Sequence, residues 1–296
     1  MKIEKLDPKL DSLIAPDAAI EVIAEGFKFT EGPLWNKSGN FLLFSDIPAS
    51  RIFKWSAGRG VEVYRENSHF SNGLTYDPQG KLIACEHQSR SVSRETETGE
   101  YITLASNFQG KKLNSPNDVV VSMDGSILFT DPIYGLQAGN GGPADQELPF
   151  QGVYRINPGN NELKLITDSF ERPNGLAFSP DKKTLYIADT VRQHIRAFKV
   201  DDNLHFTGGQ VWAELWDDNA TGRPDGMKVD VEGNLFSAGP GGVWIFNASA
   251  EVLGRIYLED KTSNLAWGED GHSLFITCSS SVYRIKCRTS GKIPPD

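Results

Sequence analysis

Six times along this chain, a residue with a side-chain oxygen stands about eight positions ahead of a tight turn flanked by strand-like sequence. These residues are Glu31, Asn72, Asn117, Asn174, Asp225 and Asn264. The windows EGPLWNKSGNFLLFSD from Glu31, NDVVVSMDGSILFTDP from Asn117 and NGLAFSPDKKTLYIADT from Asn174 show the pattern. Successive spacings of 41, 45, 57, 51 and 39 residues are those of supersecondary units that must stack on one another to bury their apolar faces. A turn glycine recurs at Gly39, Gly80, Gly125, Gly233 and Gly271, and the fourth repeat substitutes the turn-forming Ser179-Pro-Asp-Lys-Lys. A third strand follows in every copy, from RIFKW at Arg51 to SVYRI at Ser281. Fourth strands such as VEVYRE from Val61 number five.

The sixth is expected at the other end of the chain, because IEVIAE from Ile20 precedes Glu31 by the same 11 residues that separate VEVYRE from Asn72. The expected fold is therefore all-β: a six-bladed β-propeller over residues 20–287, closed by an N-terminal strand that completes the last blade. Residues 1–19 would form an N-terminal extension and 288–296 a C-terminal tail. A β-sandwich is the alternative for many short strands, but it accounts poorly for a fixed period with a displaced closing strand.

A net charge of -9 without a basic stripe argues against nucleic acid, whose binding depends on clustered Lys and Arg. No run of 18 uncharged apolar residues is present to cross a membrane, and the N-terminus lacks an apolar signal core, so a cytoplasmic location is expected. Cys85, Cys278 and Cys287 form no CxxC or even-numbered framework and read as buried thiols in a reducing compartment.

In a propeller the first strand of each blade lines the central channel, so the six repeated residues should meet at one end of it. For Asn72 and Asn264 a local turn cap is an equal reading. Glu31 caps turns poorly, and two carboxylates facing one another across a channel repel unless one is protonated or a cation lies between them. Carboxylate and amide oxygens without thiolate or imidazole suit Ca²⁺, with Mg²⁺, Mn²⁺, Zn²⁺ or Fe²⁺ as alternatives. The loops after the second strands should emerge at the same end, bringing Asp46, His87, Asp131 and Asp189 around the mouth. The long insertion from Tyr134 to Gln151 reads as a lid or binding loop.

The blocks FTEGPLW, LNSPNDVVVSMDGSILFTDP, RPNGLAFSPDKKTLYIADT and RPDGMKVDVEGNLF resemble the gluconolactonase and senescence-marker-protein-30 family, over about residues 20 to 287. The resemblance implies a six-bladed propeller with one divalent metal, held by Glu31, Asn174 and Asp225, with Asn117 as a further ligand or a substrate contact. Where animal members have an Arg that touches sugar hydroxyls, two positions before that Asn, this chain has Ser115. The segment Cys85-Glu-His87 and Tyr134 then become the candidates for the distal contacts, with Asn72 beside them.

The implied reaction is hydrolysis of a sugar lactone to its aldonic acid, the metal polarising the carbonyl and Asp225 acting as general base. Asn117 and His87 would orient the sugar, in a monomer or homodimer. Another hydrolase on the same site, for a different lactone or a phosphotriester, is a rival reading. So are a synthase of the strictosidine type, which would replace the metal ring by a catalytic Glu, and a non-catalytic scaffold, which would carry apolar residues at the ring.

Overall fold

The computed structural model describes residues 1–295 and is a closed ring of six antiparallel sheets. The innermost strands of blades 1 to 6 are Thr30–Asn36, Ser71–Tyr76, Val119–Val121, Pro173–Phe178, Met227–Val229 and Thr262–Gly268. In blades 1 to 5 three further strands follow outward in chain order, and in blade 6 two. The outer strand of blade 6 is Ile20–Glu25, paired antiparallel with Ser281–Lys286 so that Ile20 faces Ile285 and Glu25 faces Ser281.

Every second strand, Phe44 and its neighbours in blade 1 or Ile127–Asp131 in blade 3, is buried on both faces. The core explains why. Six apolar clusters fill the six clefts between adjacent blades, and alternate side chains of one strand serve different clefts. Ile127 and Phe129 pack toward blade 2 with Ile83 and Cys85, whereas Leu128 packs toward blade 4 with Leu176 and Leu185. Burying each large apolar side chain is worth about 1.5–3 kcal/mol, so the ring is held by the sum of its clefts. All three cysteines are free and buried.

The terminal segments pack on this frame. Lys2–Lys5 adds a fifth strand to blade 5, with Lys2 opposite Tyr257, and Leu10, Leu13 and Ile14 fill the cleft between blades 5 and 6. Past the last strand, the backbone N–H groups of Arg288 and Thr289 donate to the Leu13 carbonyl at 2.7 and 3.2 Å. The chain then crosses the far end of the channel, where Lys292, Pro294 and Pro295 help line a cavity of ≈ 220 Å³ with Leu34, Leu74 and Phe178. No helix among the described residues is long and apolar enough to cross a membrane.

Candidate functional site

At the opposite end of the channel the strand ladders break just where the six repeated residues stand. The pairing shifts register between Glu31 and Leu34, Ser71 and Leu74, Pro173 and Leu176, and Thr262 and Asn264. Blades 3 and 5 show the same kind of break: Asn117 N–H donates to the Thr130 carbonyl while Thr130 N–H returns to Asp118, and Asp225, Ala238 and Gly226 repeat the arrangement. Such bulges re-aim a side chain that regular pleating would send to the flank.

Contacts then run around the ring without interruption. The Asn72 carbonyl lies against Gly32, where a Cβ would come within 2.0 Å of it. Gly73 N–H donates to the Asn117 carbonyl at 2.8 Å, and Asp118 accepts from the backbone of Leu176, two residues past Asn174. Gly175 approaches the Asp225 carbonyl so closely that a Cβ would sit 2.2 Å away. Gly226 N–H donates to the Ser263 carbonyl at 2.8 Å, and Asn264 Nδ2 donates to Glu31 Oε2 at 3.0 Å, closing the circle. Glycine follows the ring residue in blades 1, 2, 4 and 5 because the next blade occupies the space of a side chain, with its backbone at Gly32, Gly73 and Gly175 and with the Asn264 side chain at Gly226.

Glu31 and Asp225 are both buried, and both carboxyls are held above the ordinary carboxylate range. Burial is the main cause for each; Asp118 adds to it for Glu31, and Glu31 for Asp225. Lys228 and Lys261 moderate this from a distance, ranking below burial in each case. Asn174 is fixed by Thr190, whose hydroxyl accepts from its Nδ2 at 2.9 Å and donates to the Pro224 carbonyl at 2.8 Å. Thr190 thus ties the blade 4 residue to the residue before Asp225, and the Asn174 side chain also meets Asp225 and Tyr134. The backbone N–H and carbonyl of Asn117 are both used in the ring, so its side chain is what it has left to offer.

Asn72 Oδ1 is buried and has no hydrogen-bond partner, while its Nδ2 lies 3.4 Å from His87 Nε2. His87 is itself 2% exposed, and burial pulls its pKa down to about 4. Tyr134 is half-buried over the ring beside Thr190, Asn174 and Asp225, with the Arg172 guanidinium 5.1 Å from its ring centre. Burial, then the Asp225 charge, pushes its hydroxyl pKa upward.

Two further groups came out of the structure alone. Asp118 occupies the slot that is Gly in four other blades; it is buried, its pKa is raised chiefly by burial, and its Oδ2 has no partner. Aligning the six windows at that slot, which read EG, NG, ND, NG, DG and NL, exposes it as the one charged residue there. Ser115 is fully buried and serves the insertion, accepting from Gly135 N–H at 2.9 Å and donating to the Pro132 carbonyl. The far end of the insertion is gripped by Arg90, which donates to the Asp145 carbonyl at 3.2 Å, and by Glu147, which accepts from Lys112 N–H at 2.9 Å.

Asp46, Asp131 and Asp189 do a different job at this end. Asp46 accepts from Lys28 and Phe29 N–H at 3.0 and 3.1 Å, Asp189 from Glu171 and Arg172 N–H at 2.8 and 3.1 Å, and Asp131 from Asn114 N–H at 2.8 Å. Each staples the loop that enters the channel in its own blade; Asp131 keeps Oδ1 without a partner, and burial pushes its carboxyl up to about 7.

The whole chain can be compared with known proteins. A gluconolactonase from Zymomonas mobilis is 37% identical over 313 aligned positions, covering 98% of this chain and 87% of the relative. The solved structure of a gluconolactonase from Xanthomonas campestris superposes with a TM-score of 0.91 at 33% identity, covering 97% of this chain and 95% of that one. Bovine regucalcin is 26% identical over 265 positions, covering 87% of this chain and 85% of its own length. The family model described as the SMP-30/Gluconolactonase/LRE-like region matches residues 29–280. With that match spanning all six blades, the chain belongs to the SMP-30/gluconolactonase/LRE-like family.

Proposed function

We propose that this protein hydrolyses a sugar lactone of the glucono-1,5-lactone type to the aldonic acid, using one divalent cation, Ca²⁺ in first place, held by Glu31, Asn174, Asp225 and Asn117. The observation that carries the reading is the buried pair Glu31 and Asp225, each raised in pKa and brought together from blades 1 and 5 by an unbroken ring of contacts. Two desolvated carboxylates cost stability unless something positive joins them. The donor set fits a hard cation: carboxylate oxygens, amide oxygens of Asn174 and Asn117, and no thiolate or imidazole among the six ring residues. The gluconolactonase relatives, similar over nearly the full chain, support the substrate class.

Glu31, Asn174, Asp225 and Asn117 would hold the cation, which would keep both carboxylates ionised and supply Lewis-acid polarisation of the lactone carbonyl. Asp225 is the general base that takes a proton from the attacking water. Its neighbour Thr190 holds the Pro224 carbonyl, so the base cannot swing away from the ring. Asn117 and Asn72 offer amide groups to the substrate, and Tyr134 covers it from the insertion. Glu31 is kept in place by Gly32 N–H at 2.6 Å and by Asn264. Burial of the ring excludes bulk water and strengthens each of these interactions.

The test is acid release from glucono-1,5-lactone in a pH-stat, after chelation and after reconstitution with Ca²⁺, Mg²⁺, Mn²⁺, Zn²⁺ and Fe²⁺ in turn. Chelator-sensitive hydrolysis restored by metal is the expected result. A rate equal to the spontaneous background under every condition overturns the reading.

A further inference from the structure

On the blade 2 side an imidazole joins the insertion to the ring, and its two hydrogen bonds can be assigned from their partners. His87 follows the second strand of blade 2 and is covered by the insertion, whose Gly135 and Gly141 press so close that an added Cβ would lie 2.4 and 3.1 Å from the His87 Cβ. His87 Nδ1 stands 3.2 Å from the Asn140 carbonyl oxygen. A carbonyl only accepts, so Nδ1 carries the proton. In the neutral ring Nε2 then has a lone pair, and its neighbour at 3.4 Å, the Asn72 amide, must present Nδ2–H to it. Turning the amide over would set Oδ1 against that lone pair.

The consequence falls on the other end of the amide. Asn72 Oδ1 is a buried acceptor with no partner in the protein, while the Asn72 backbone carbonyl is already held by Ser45 Oγ at 2.9 Å. A buried acceptor left empty is costly, and it is retained where a ligand supplies the donor. At the ring of a lactone hydrolase the donor that matches a neutral amide oxygen is a substrate hydroxyl.

We propose that His87 is a positioning residue that links the insertion to the ring, orienting Asn72 so that its Oδ1 accepts a hydrogen bond from a hydroxyl of the substrate. His87 itself stays behind Asn72 and acts through it. The site would thereby favour a polyhydroxylated lactone over a bare one, which deepens the lactonase reading and rests on it. Ser115 fits the same design, because it anchors the insertion that locks His87.

The two bonds can be separated by substitution, because Asn reproduces the position of the imidazole Nδ1 and Gln that of Nε2. The quantity to measure is the ratio of kcat/KM for glucono-1,5-lactone to that for δ-valerolactone, which has no hydroxyl. His87→Asn keeps the bond to the insertion but frees Asn72, and should lower the ratio about tenfold. His87→Gln keeps the bond to Asn72 and should hold the ratio within about threefold of wild type, whatever happens to the absolute rates. Equal ratios in His87→Asn and wild type, or an equal fall in both variants, overturns the proposal and marks His87 as packing. Long-range ¹H–¹⁵N NMR of the wild-type imidazole gives an arm independent of turnover: the Nδ1–H tautomer supports the assignment and the Nε2–H tautomer overturns it. Wild-type protein inert toward both lactones strikes the lactonase reading instead, and is thus told apart from a failure of the positioning role.

Discussion

Asp46 and Asp225 are both buried aspartates at the same end of the channel, yet the fold treats them in opposite ways. Asp46, like Asp189 in blade 4, has both oxygens engaged by backbone N–H groups of the incoming loop. Asp225, like Glu31, faces another carboxylate, and its pKa is driven up by burial and by that neighbour. Backbone donors turn a buried carboxylate into a structural staple; their scarcity turns it into a site that wants a cation. Burial and residue type alone do not separate the two groups. Where the lone pairs are directed does.

The sharpest way to break this contrast is to neutralise one member of each group. Asp225→Asn should lower kcat by about 10² to 10⁴ while the fold survives; pH-stat kinetics with circular dichroism read both. Full activity in that variant would remove Asp225 from its role. His87 supplies a control that is buried but not a carboxylate. Its folded pKa of about 4 lies below the ordinary value of 6.5, with burial the lowering cause and the Asn140 carbonyl opposing it. The folded state therefore binds fewer protons than the unfolded one between those limits. Its contribution is complete above pH 6.5 and is lost as pH falls toward 4, about 3 kcal/mol across the window. Urea denaturation from pH 7 to pH 4 should show that loss as a difference between wild type and His87→Gln, because Glu31 and Asp131, raised to about 7 chiefly by burial, shift both proteins alike in the opposite sense.

Ligand linkage separates the two carboxylate groups directly. Ca²⁺ at a hundredfold excess over its Kd should raise stability by about 2.7 kcal/mol, an increment abolished in Glu31→Gln and kept in Asp46→Asn; calorimetric melts with and without the ion check it. Asp46→Asn should instead cost about 2 kcal/mol of unfolding free energy in metal-free protein, by weakening a charge-assisted bond to Lys28 or Phe29 N–H. Equal losses from Asp46→Asn and Asp225→Asn would erase the distinction between staple and site. The smallest effect is expected from Thr190→Val, which frees the Asn174 amide and should weaken metal binding about tenfold by isothermal titration.

Much of this was legible before any coordinates. The windows at Glu31, Asn72, Asn117, Asn174, Asp225 and Asn264 marked six blades because a blade cannot bury its faces alone, and that requirement writes the same strand-turn-strand pattern six times. Asp118 escaped notice because it reads as the polar start of a strand; only its placement in a glycine slot against the next blade makes it a channel residue. Ser115 showed a departure from the resembled family but not its use, since its partners Pro132 and Gly135 lie 17 and 20 residues away. Asp46, Asp131 and Asp189 looked like members of the mouth because sequence reveals which end of a strand a side chain occupies, but not which backbone donors it meets.

The sequence by itself determined the repeat, the all-β architecture and which residues would stand at one end of the channel, because hydrophobic periodicity and turn chemistry are local properties. Only the tertiary structure decided which buried oxygens were already satisfied and which were left facing one another. That depends on hydrogen bonds between segments from 17 to 233 residues apart, and on the bulges that aim them.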